Sequence, residues 1–435
     1  MTSSSPKVTI RWYHKLILIA CGLVISVILV EIAARAFHLI PALSDAEYRA
    51  VSRRVGQLGN PYDKFTTSGF VAGNNEFKVK IRQNKLGFRG DDISTTPPEG
   101  AQRILLLGDS YTASWEVSEG QRWSDWLDRW LNAGQERYDV VNLGYPGYGT
   151  DREYLLYESY GNQLHANTVL LVMYVENDVS DSGEAIWKAP SLLRQTRSFF
   201  TLDDSGGLVE HDWNYVDPTR PWDREPFPNS VIGWLNGNSL TYRLVRDSLR
   251  DVRDRITGID SSSPASEPLE TVDPLHPTSI PRILDIFFTA PDAQWDQAWQ
   301  ITGDLLAALR DSVASDGAQL VVAIIPPHMI VQNDSWTFNS LFEQSAQAWD
   351  LWYPQNRMLT LLDDLGIPAI NPTQTLIDFR TATGQDVFYK LDRHLNRTGS
   401  CVFGTALANA LVADGYATPD AAYPRDPLAS CEKLP

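Results

Sequence analysis

The sequence predicts an α/β fold in which helices cover both faces of a mostly parallel sheet. Short, continuously apolar runs alternate with helical patterns from Arg103 onwards, which is typical of strands that are buried on both faces. Polar or glycine-rich residues follow three of these runs, as expected at the carboxyl ends of strands in an open sheet. The 435 residues are 43% hydrophobic and 21% charged, a composition that excludes a wholly disordered or collagen-like chain.

An apolar segment near the N-terminus predicts one transmembrane helix. Residues 16–34 are about as long as a segment that crosses a bilayer. Three cations and no acid lie shortly before this segment: Lys7, Arg11 and Lys15. The positive-inside rule then keeps the N-terminus in the cytoplasm and exports the rest of the chain. We therefore assign residues 1–40 to a cytoplasmic tail and membrane anchor, with the main domain periplasmic or extracellular.

Two other interpretations of this segment stay open. Ala34-Arg35-Ala36 matches the cleavage site of a signal peptide, and Leu18-Ile19-Ala20-Cys21 resembles the lipobox of a lipoprotein. Both also place the bulk of the chain outside the cytoplasm. The formal net charge of −17 argues against a nucleic-acid partner, because an acidic surface repels phosphates.

The exported part divides into an approach segment, residues 41–100, and a folded domain, residues 101–435. The domain has five apolar runs that predict strands: Ile104–Leu107, Val140–Leu143, Val169–Tyr174, Leu320–Ile325 and Ile367–Ile370. Tryptophans at helical spacing between the first two runs, Trp123, Trp126 and Trp130, indicate a helix with a packing face.

The third and fourth runs are separated by about 145 residues, far more than one crossover needs. We therefore predict a large insertion at about residues 182–295. Phe199–Val209 reads as a hairpin. A helix is predicted near Leu240–Ile256 and a loop over Asp260–Pro281. Trp295–Val313 then predicts the helix that leads into the fourth strand.

Three candidate site residues follow the first three strands. Ser110 stands at the end of Gly108-Asp109-Ser110, before a predicted helix whose first amides can stabilise an oxyanion. Gly144 follows the second strand, and Asn177, a side-chain amide donor, follows the third. Because the carboxyl ends of parallel strands share one edge of a sheet, we expect these residues to be neighbours.

Asp392 and His394 stand just before a helical pattern that continues to Ala413. A histidine so close to a carboxylate can be a base that the carboxylate orients. In chain order, the sequence therefore offers a nucleophile (Ser110), oxyanion donors (the Ser110 amide, Gly144 and Asn177) and an oriented base. We predict a catalytic site of this kind and no metal site, since no cluster of His, Cys and Asp has metal-ligand spacing.

These motifs resemble the SGNH/GDSL hydrolase family over about residues 84–185 and 318–413. Gly108-Asp109-Ser110 is similar to the block with the nucleophile, Gly144 to the second block, Asn177 to the third, and Asp392 with His394 to the last. Val175 replaces the usual glycine of the third block. The short Asp-x-His form resembles membrane-anchored members similar to polysaccharide O-acetyltransferases.

The resemblance implies a three-layer α/β/α sandwich and a serine-dependent acyl-ester hydrolase acting outside the cytoplasm, without a cofactor. Its substrate would be a carbohydrate ester or a small acyl ester. Two alternatives stay open, a polysaccharide O-acetyltransferase and a membrane-anchored, non-catalytic scaffold or accessory subunit. The sequence does not indicate which proteins, if any, are its partners. We expect activity to rise with pH as His394 loses its proton near the ordinary histidine pKa.

Cys401 and Cys431 bracket the final predicted helix and a proline-rich tail. Thiols oxidise in exported proteins, so we predict a disulfide between them. Two unpaired thiols are the alternative.

Overall fold

The computed structural model describes residues 68–182, 199–211, 282–332 and 347–434, apart from residues 74, 75, 85, 419, 421, 424 and 425. It also describes residues 14, 15, 22, 26, 29 and 342. The predicted transmembrane segment, apart from three isolated residues, the helix near residues 240–256 and the loop over residues 260–281 lie outside this part. Among the described residues, no helix has both the length and the apolar content needed to cross a membrane.

The chain divides into two compact units. The first comprises Met1–Ser44 and Arg224–Ser261, and its described residues are helical. The second comprises Asp45–Asp223 and Ser262–Pro435, and it contains all the elements named below.

Nine strands are described: β1 (Ser68–Gly73), β2 (Phe77–Arg82), β3 (Gln102–Gly108), β4 (Tyr138–Asn142), β5 (Thr168–Tyr174), β6 (Phe199–Leu202), β7 (Leu208–His211), β8 (Gln319–Ile325) and β9 (Ala369–Ile370). Five of them form one parallel sheet in the order β4-β3-β5-β8-β9. The other four pair as two antiparallel hairpins, β1–β2 and β6–β7. All five predicted sheet strands and the hairpin in the insertion are confirmed. The β1–β2 hairpin of the approach segment was not predicted.

The described α-helices are α1 (Ser110–Ala113), α2 (Trp123–Leu131), α3 (Thr150–Ser159), α4 (Val175–Ser182), α5 (Ala293–Ser315), α6 (His328–Gln332), α7 (Tyr353–Asp364), α8 (Thr373–Thr383) and α9 (Arg397–Ala413). Short 3₁₀ turns occur at Gly161–Leu164, Arg282–Phe287 and Pro427–Ser430. The helices predicted from Trp123 and its neighbours, over Trp295–Val313, and up to Ala413 are confirmed.

Hydrophobic cores lie on both faces of the parallel sheet. Along β3, alternate side chains point to opposite faces, because successive residues of a strand do so. Leu105 and Leu107 contribute to a core that also contains Trp295 of α5, while Ile104 and Leu106 contribute to one with Trp123 of α2. This arrangement confirms the predicted α/β class and its mostly parallel sheet.

Two contacts tie the C-terminal tail and the approach segment to the parallel sheet and its helices. Cys401 and Cys431 form a disulfide, which confirms the predicted pairing and fixes the final 3₁₀ turn to α9. In the approach segment, Val79 and Ile81 of β2 pack against Ala113, the last residue of α1, and Trp115, which follows it. The approach segment thus reaches the carboxyl edge of the sheet, where the candidate site residues lie.

Candidate active site

Ser110 is held by a sharp turn between β3 and α1. Gly108 has a φ of +152°, and a Cβ atom there would lie 2.1 Å from Thr112 Oγ1 and 2.7 Å from the Val172 carbonyl oxygen. Only glycine fits this position. The next residue, Asp109, is buried and caps the helix, because its carboxylate accepts a 2.8 Å hydrogen bond from the Tyr111 amide. The local sequence therefore fixes the backbone position of Ser110.

His394 connects Ser110 with Asp392. Its Nε2 atom lies 2.7 Å from Ser110 Oγ, and its Nδ1 atom lies 2.7 Å from Asp392 Oδ1. The imidazole ring packs against Tyr111, with ring centroids 4.5 Å apart. Side chains separated by 284 positions in the sequence are thus within hydrogen-bonding distance. This is the geometry of a nucleophile beside a base that a carboxylate orients.

Asp392 and His394 lie on an irregular segment before α9, residues 387–396, which we call the acid–base loop. At its start, Gln332 Oε1 accepts hydrogen bonds from the amides of Val387 and Phe388, at 2.9 and 2.6 Å. At its end, Asn396 Oδ1 caps α9 by accepting from the Gly399 amide. The two ends of the loop are therefore fixed by side chains rather than by a strand of the main sheet.

Glu76 holds the middle of the acid–base loop. Its carboxylate accepts hydrogen bonds from three successive amides, those of Lys390 (2.8 Å), Leu391 (3.0 Å) and Asp392 (2.8 Å). Glu76 belongs to the approach segment, just before β2. Sequence reasoning missed it, because no local motif marks a carboxylate that acts on a loop 316 residues away.

Glu116 is a second acidic residue that sequence reasoning missed. Its Oε1 atom lies 3.7 Å from His394 Nδ1, the nitrogen that also faces Asp392. Its side chain is only 9% exposed, and burial raises the pKa of Glu116 to about 7, against the opposing charge of His394. The only sequence signal was a carboxylate six positions after Ser110.

Gly144 and Asn177 both lie beside α1 and its preceding turn. The Gly144 amide donates a 2.8 Å hydrogen bond to Asn142 Oδ1, and a Cβ at Gly144 would lie 2.6 Å from the Ala113 nitrogen. Asn177 Nδ2 donates to Asp109 Oδ2 at 3.2 Å. The structure thus brings both residues next to the Ser110 turn. In this state, both predicted oxyanion donors also serve internal hydrogen bonds.

In the described part of the chain, one group of side chains has ligand atoms spaced for a metal ion: Glu116, Asp392 and His394, within 4.8 Å of one another. We do not treat these residues as metal ligands. Both ring nitrogens of His394 already face hydrogen-bonding partners, Ser110 on one side and Asp392 on the other.

One protein family matches part of the chain. Residues 287–427 match the family described as SGNH hydrolase-like domain, acetyltransferase AlgX. This part of the chain is therefore similar to an SGNH hydrolase-like domain. This finding confirms the resemblance seen in the motifs and the prediction of an ester hydrolase or acyltransferase class. Asp392 and His394 lie within the matched residues, whereas Ser110, Gly144 and Asn177 precede them.

Several solved structures are similar to this chain. They include a member of the lipolytic G-D-S-L family from Veillonella parvula, with 11% identity, a TM-score of 0.33, and coverage of 72% of this chain and 99% of that one. The acetyl xylan esterase AlAXEase has 9% identity, a TM-score of 0.33, and coverage of 71% and 99%. The esterase EstA from a Pseudoalteromonas species has 12% identity, a TM-score of 0.30, and coverage of 72% and 99%. No curated protein matches the chain.

Proposed function

We propose that this protein is a serine-dependent acyl-ester enzyme in which Ser110, His394 and Asp392 form the catalytic triad of an SGNH-like α/β/α sandwich. One observation carries the proposal, the continuous contact from Ser110 Oγ through the two nitrogens of His394 to Asp392 Oδ1, with 2.7 Å at each step. Such a chain of contacts activates a serine hydroxyl, which is a weak nucleophile on its own.

In the first step, Ser110 Oγ attacks the carbonyl carbon of an ester while its proton moves to His394 Nε2. Asp392 accepts the Nδ1–H hydrogen bond, which keeps the imidazole in the required tautomer and stabilises its positive charge. The ester C–O bond then breaks, and His394 returns the proton to the departing alcohol. Ser110 now carries the acyl group.

In the second step, an acceptor hydroxyl gives its proton to His394 Nε2 while its oxygen attacks the acyl carbon. The bond between that carbon and Ser110 Oγ then breaks, and His394 returns the proton to Ser110 Oγ. We propose the Ser110 amide, the Gly144 amide and the Asn177 side chain as oxyanion donors in both steps. For the latter two, this requires release or sharing of the hydrogen bonds to Asn142 and Asp109. Asn177 Nδ2 carries two hydrogens, so it can donate to Asp109 and to an oxyanion together.

The acceptor distinguishes two candidate functions. Water would make the protein an esterase, and a saccharide hydroxyl would make it an O-acyltransferase. The family match favours the transferase, because the matched family is described by an acetyltransferase, AlgX. The catalytic contacts support both equally, since both share the acyl-enzyme.

Turnover of a small acetyl ester with and without an added oligosaccharide separates the two candidate functions. Acetylated sugar supports the transferase, and free acetate alone supports the esterase.

A serine-reactive fluorophosphonate tests the chemistry that the two candidates share. We expect it to label the intact protein at Ser110 and to leave Ser110→Ala unlabelled. Ser118→Ala, which changes an exposed serine of the same region, is the matched control and should label normally. Absence of label from the intact protein, together with absence of ester turnover, would favour the non-catalytic scaffold.

We also propose that the domain lies outside the cytoplasm and is attached to the membrane by an anchor formed by residues 16–34. The cations before this segment and the disulfide between Cys401 and Cys431 support export, because disulfides persist in oxidising compartments. Protease added to intact spheroplasts should digest the domain. Protection until the cells are lysed would reverse this topology.

A further inference from the structure

Glu116 has a backbone that two distant parts of the domain fix in place. The buried guanidinium of Arg89 donates hydrogen bonds to the carbonyl oxygens of Ser114 and Val117, on either side of Glu116. The Tyr389 hydroxyl, on the acid–base loop, donates to the carbonyl oxygen of Glu116 itself at 3.1 Å. These contacts hold the Glu116 backbone beside that loop.

The Glu116 carboxylate faces the same imidazole nitrogen as Asp392. Asp392 Oδ1 lies 2.7 Å from His394 Nδ1, a hydrogen-bonding distance, whereas Glu116 Oε1 lies 3.7 Å from it. The longer distance excludes an ordinary hydrogen bond. It still permits a strong contact between charges, because solvent screens buried pairs much less than exposed ones. His394 therefore has two carboxylate partners at one nitrogen.

Titratable and charged groups from several elements surround this pair: Asp109 before α1, Arg89 in the approach segment, Tyr111 on α1, and Asp392 and Tyr389 on the acid–base loop. Burial lowers the pKa of His394. The negative charges of Glu116, Asp392 and Asp109 outweigh burial, so that the pKa of His394 rises to about 9. Arg89 lies on the Glu116 side, where its positive charge helps to keep Glu116 ionised.

The inference rests on the proposed acyl-transfer function. We propose that Glu116 is a positioning residue that stabilises the protonated form of His394 and so sets the pH range in which Ser110 is activated. In each step the proton moves onto His394 Nε2, and the resulting imidazolium faces two carboxylates at its other nitrogen, Nδ1. The contact favours the transition state. In the resting enzyme it has the opposite effect, because it opposes the loss of the proton that His394 must lose before it can act as a base.

These two effects predict pH profiles that cross. Without the Glu116 charge, His394 loses its proton more readily, so the acid limb of kcat/KM moves to lower pH. A nearby opposite charge changes a pKa by about 1–3 units, and at 3.7 Å we expect a shift of about 1 unit. The alkaline plateau falls, because the imidazolium of the transition state has lost one of its two carboxylates. Glu116→Gln is then more active than the wild type below the limb and less active above it.

The experiment measures kcat/KM for a small acetyl ester across the pH range, using the full chain. We expect Glu116→Gln to shift the acid limb down by about 1 unit and to lower the plateau by about threefold, because the proton is only partly transferred to His394 in the transition state. The plateau loss is smaller than the gain of about tenfold that the limb shift gives at low pH, so the two profiles cross. Glu116→Asp retains the charge at a greater distance and should give a smaller shift. Glu119→Gln is the matched control, because Glu119 lies three residues away, is 43% exposed and pairs with Arg82 at 3.0 Å.

A direct titration separates this inference from the proposed function. Selectively labelled histidines report the protonation of His394 by NMR, and His394→Gln identifies its signal. We expect the His394 midpoint to fall in Glu116→Gln and to stay unchanged in Glu119→Gln, whether or not the protein turns over esters. Ester turnover that survives Ser110→Ala would overturn the proposed function alone. A His394 midpoint unchanged in both Glu116→Gln and Glu116→Asp would overturn the role of Glu116.

Discussion

The two halves of the proposed site are built in different ways. Ser110 follows a central strand whose residues Leu105–Leu107 are fully buried, and a glycine that no other residue can replace fixes the turn before it. Asp392 and His394 lie instead on a loop held by Glu76 and Gln332, two side chains from distant parts of the chain, and capped at its end by its own Asn396. The nucleophile is therefore placed by local sequence and sheet packing, and the base by long-range hydrogen bonds.

This difference predicts two kinds of mutational effect. Changes at the reacting atoms should abolish turnover in either half, because Ser110 and His394 act as one unit. Changes at the surrounding residues should have different effects in the two halves. Substitution of Gly108 would disturb the sheet edge itself, whereas substitution of the side chains that hold the acid–base loop should leave the fold intact and weaken catalysis. The predictions below test this distinction, beginning with the largest effect.

Removal of either reacting group should abolish ester turnover. We expect Ser110→Ala and His394→Ala each to lower kcat on the order of 10⁴-fold or more, which corresponds to about 5.5 kcal/mol of transition-state stabilisation. The double variant should be little worse than either single variant, because neither group works without the other. Steady-state kinetics on a small acetyl ester measures this. Effects that multiply in the double variant would show that the two halves act separately.

The disulfide should stabilise the half of the domain that carries the acid–base loop. It joins Cys401 on α9 to Cys431, a separation of 30 residues, and the chain-entropy model gives about 4 kcal/mol for a loop of this length. We expect the double variant Cys401→Ala, Cys431→Ala to lose stability of this order in urea unfolding. The kcat of the folded variant should change little, since Asn396 still caps α9. A double variant as stable as the wild type would show that the disulfide does not stabilise this half of the domain.

The sequence predicted the Ser110 turn and the sheet around it, but it did not predict the long-range contacts that hold the acid–base loop. Apolar runs identified every strand of the parallel sheet, because strands buried on both faces need continuous apolar residues. Ser110, Asp392 and His394 were found because each stands at the boundary of a strand or helix. Glu76 and Glu116 were not, since each acts on a residue far away in the chain. The expected near-neutral titration of His394 neglected Glu116 for the same reason.

The amide of Asn177 should contribute less than either reacting group. Loss of one oxyanion donor typically costs about 10²–10³-fold in kcat. We expect the loss of kcat in Asn177→Ala to fall in this range. Fluorophosphonate should also label Ser110 more slowly in this variant than in the wild type. Asn356→Ala, which alters an exposed asparagine of α7, is the control and should match the wild type. A wild-type kcat in Asn177→Ala would show that its side chain serves only Asp109, to which it donates at 3.2 Å.

The smallest effect, and the sharpest test of the comparison, is expected at Glu76. Gln at this position keeps one acceptor oxygen but turns an NH₂ group towards three backbone amides, which are themselves donors. Hydrogen bonds to a charged group contribute about 1.5–3 kcal/mol, and Glu76 is partly exposed, so we take the lower end of this range. We therefore expect Glu76→Gln to lower kcat about tenfold.

A positioning role for Glu76 predicts a specific pattern of kinetic changes. The KM and the thermal midpoint of Glu76→Gln should change little, because the β1–β2 hairpin still packs through Val79 and Ile81. The rate of fluorophosphonate labelling should fall by the same factor as kcat, since both depend on where the loop holds His394. Glu99→Gln, a change at an exposed glutamate of the same approach segment, should have no effect. A normal labelling rate in Glu76→Gln would mean that the acid–base loop keeps its place without Glu76, and that the contacts of Gln332 and Asn396 are enough to hold it.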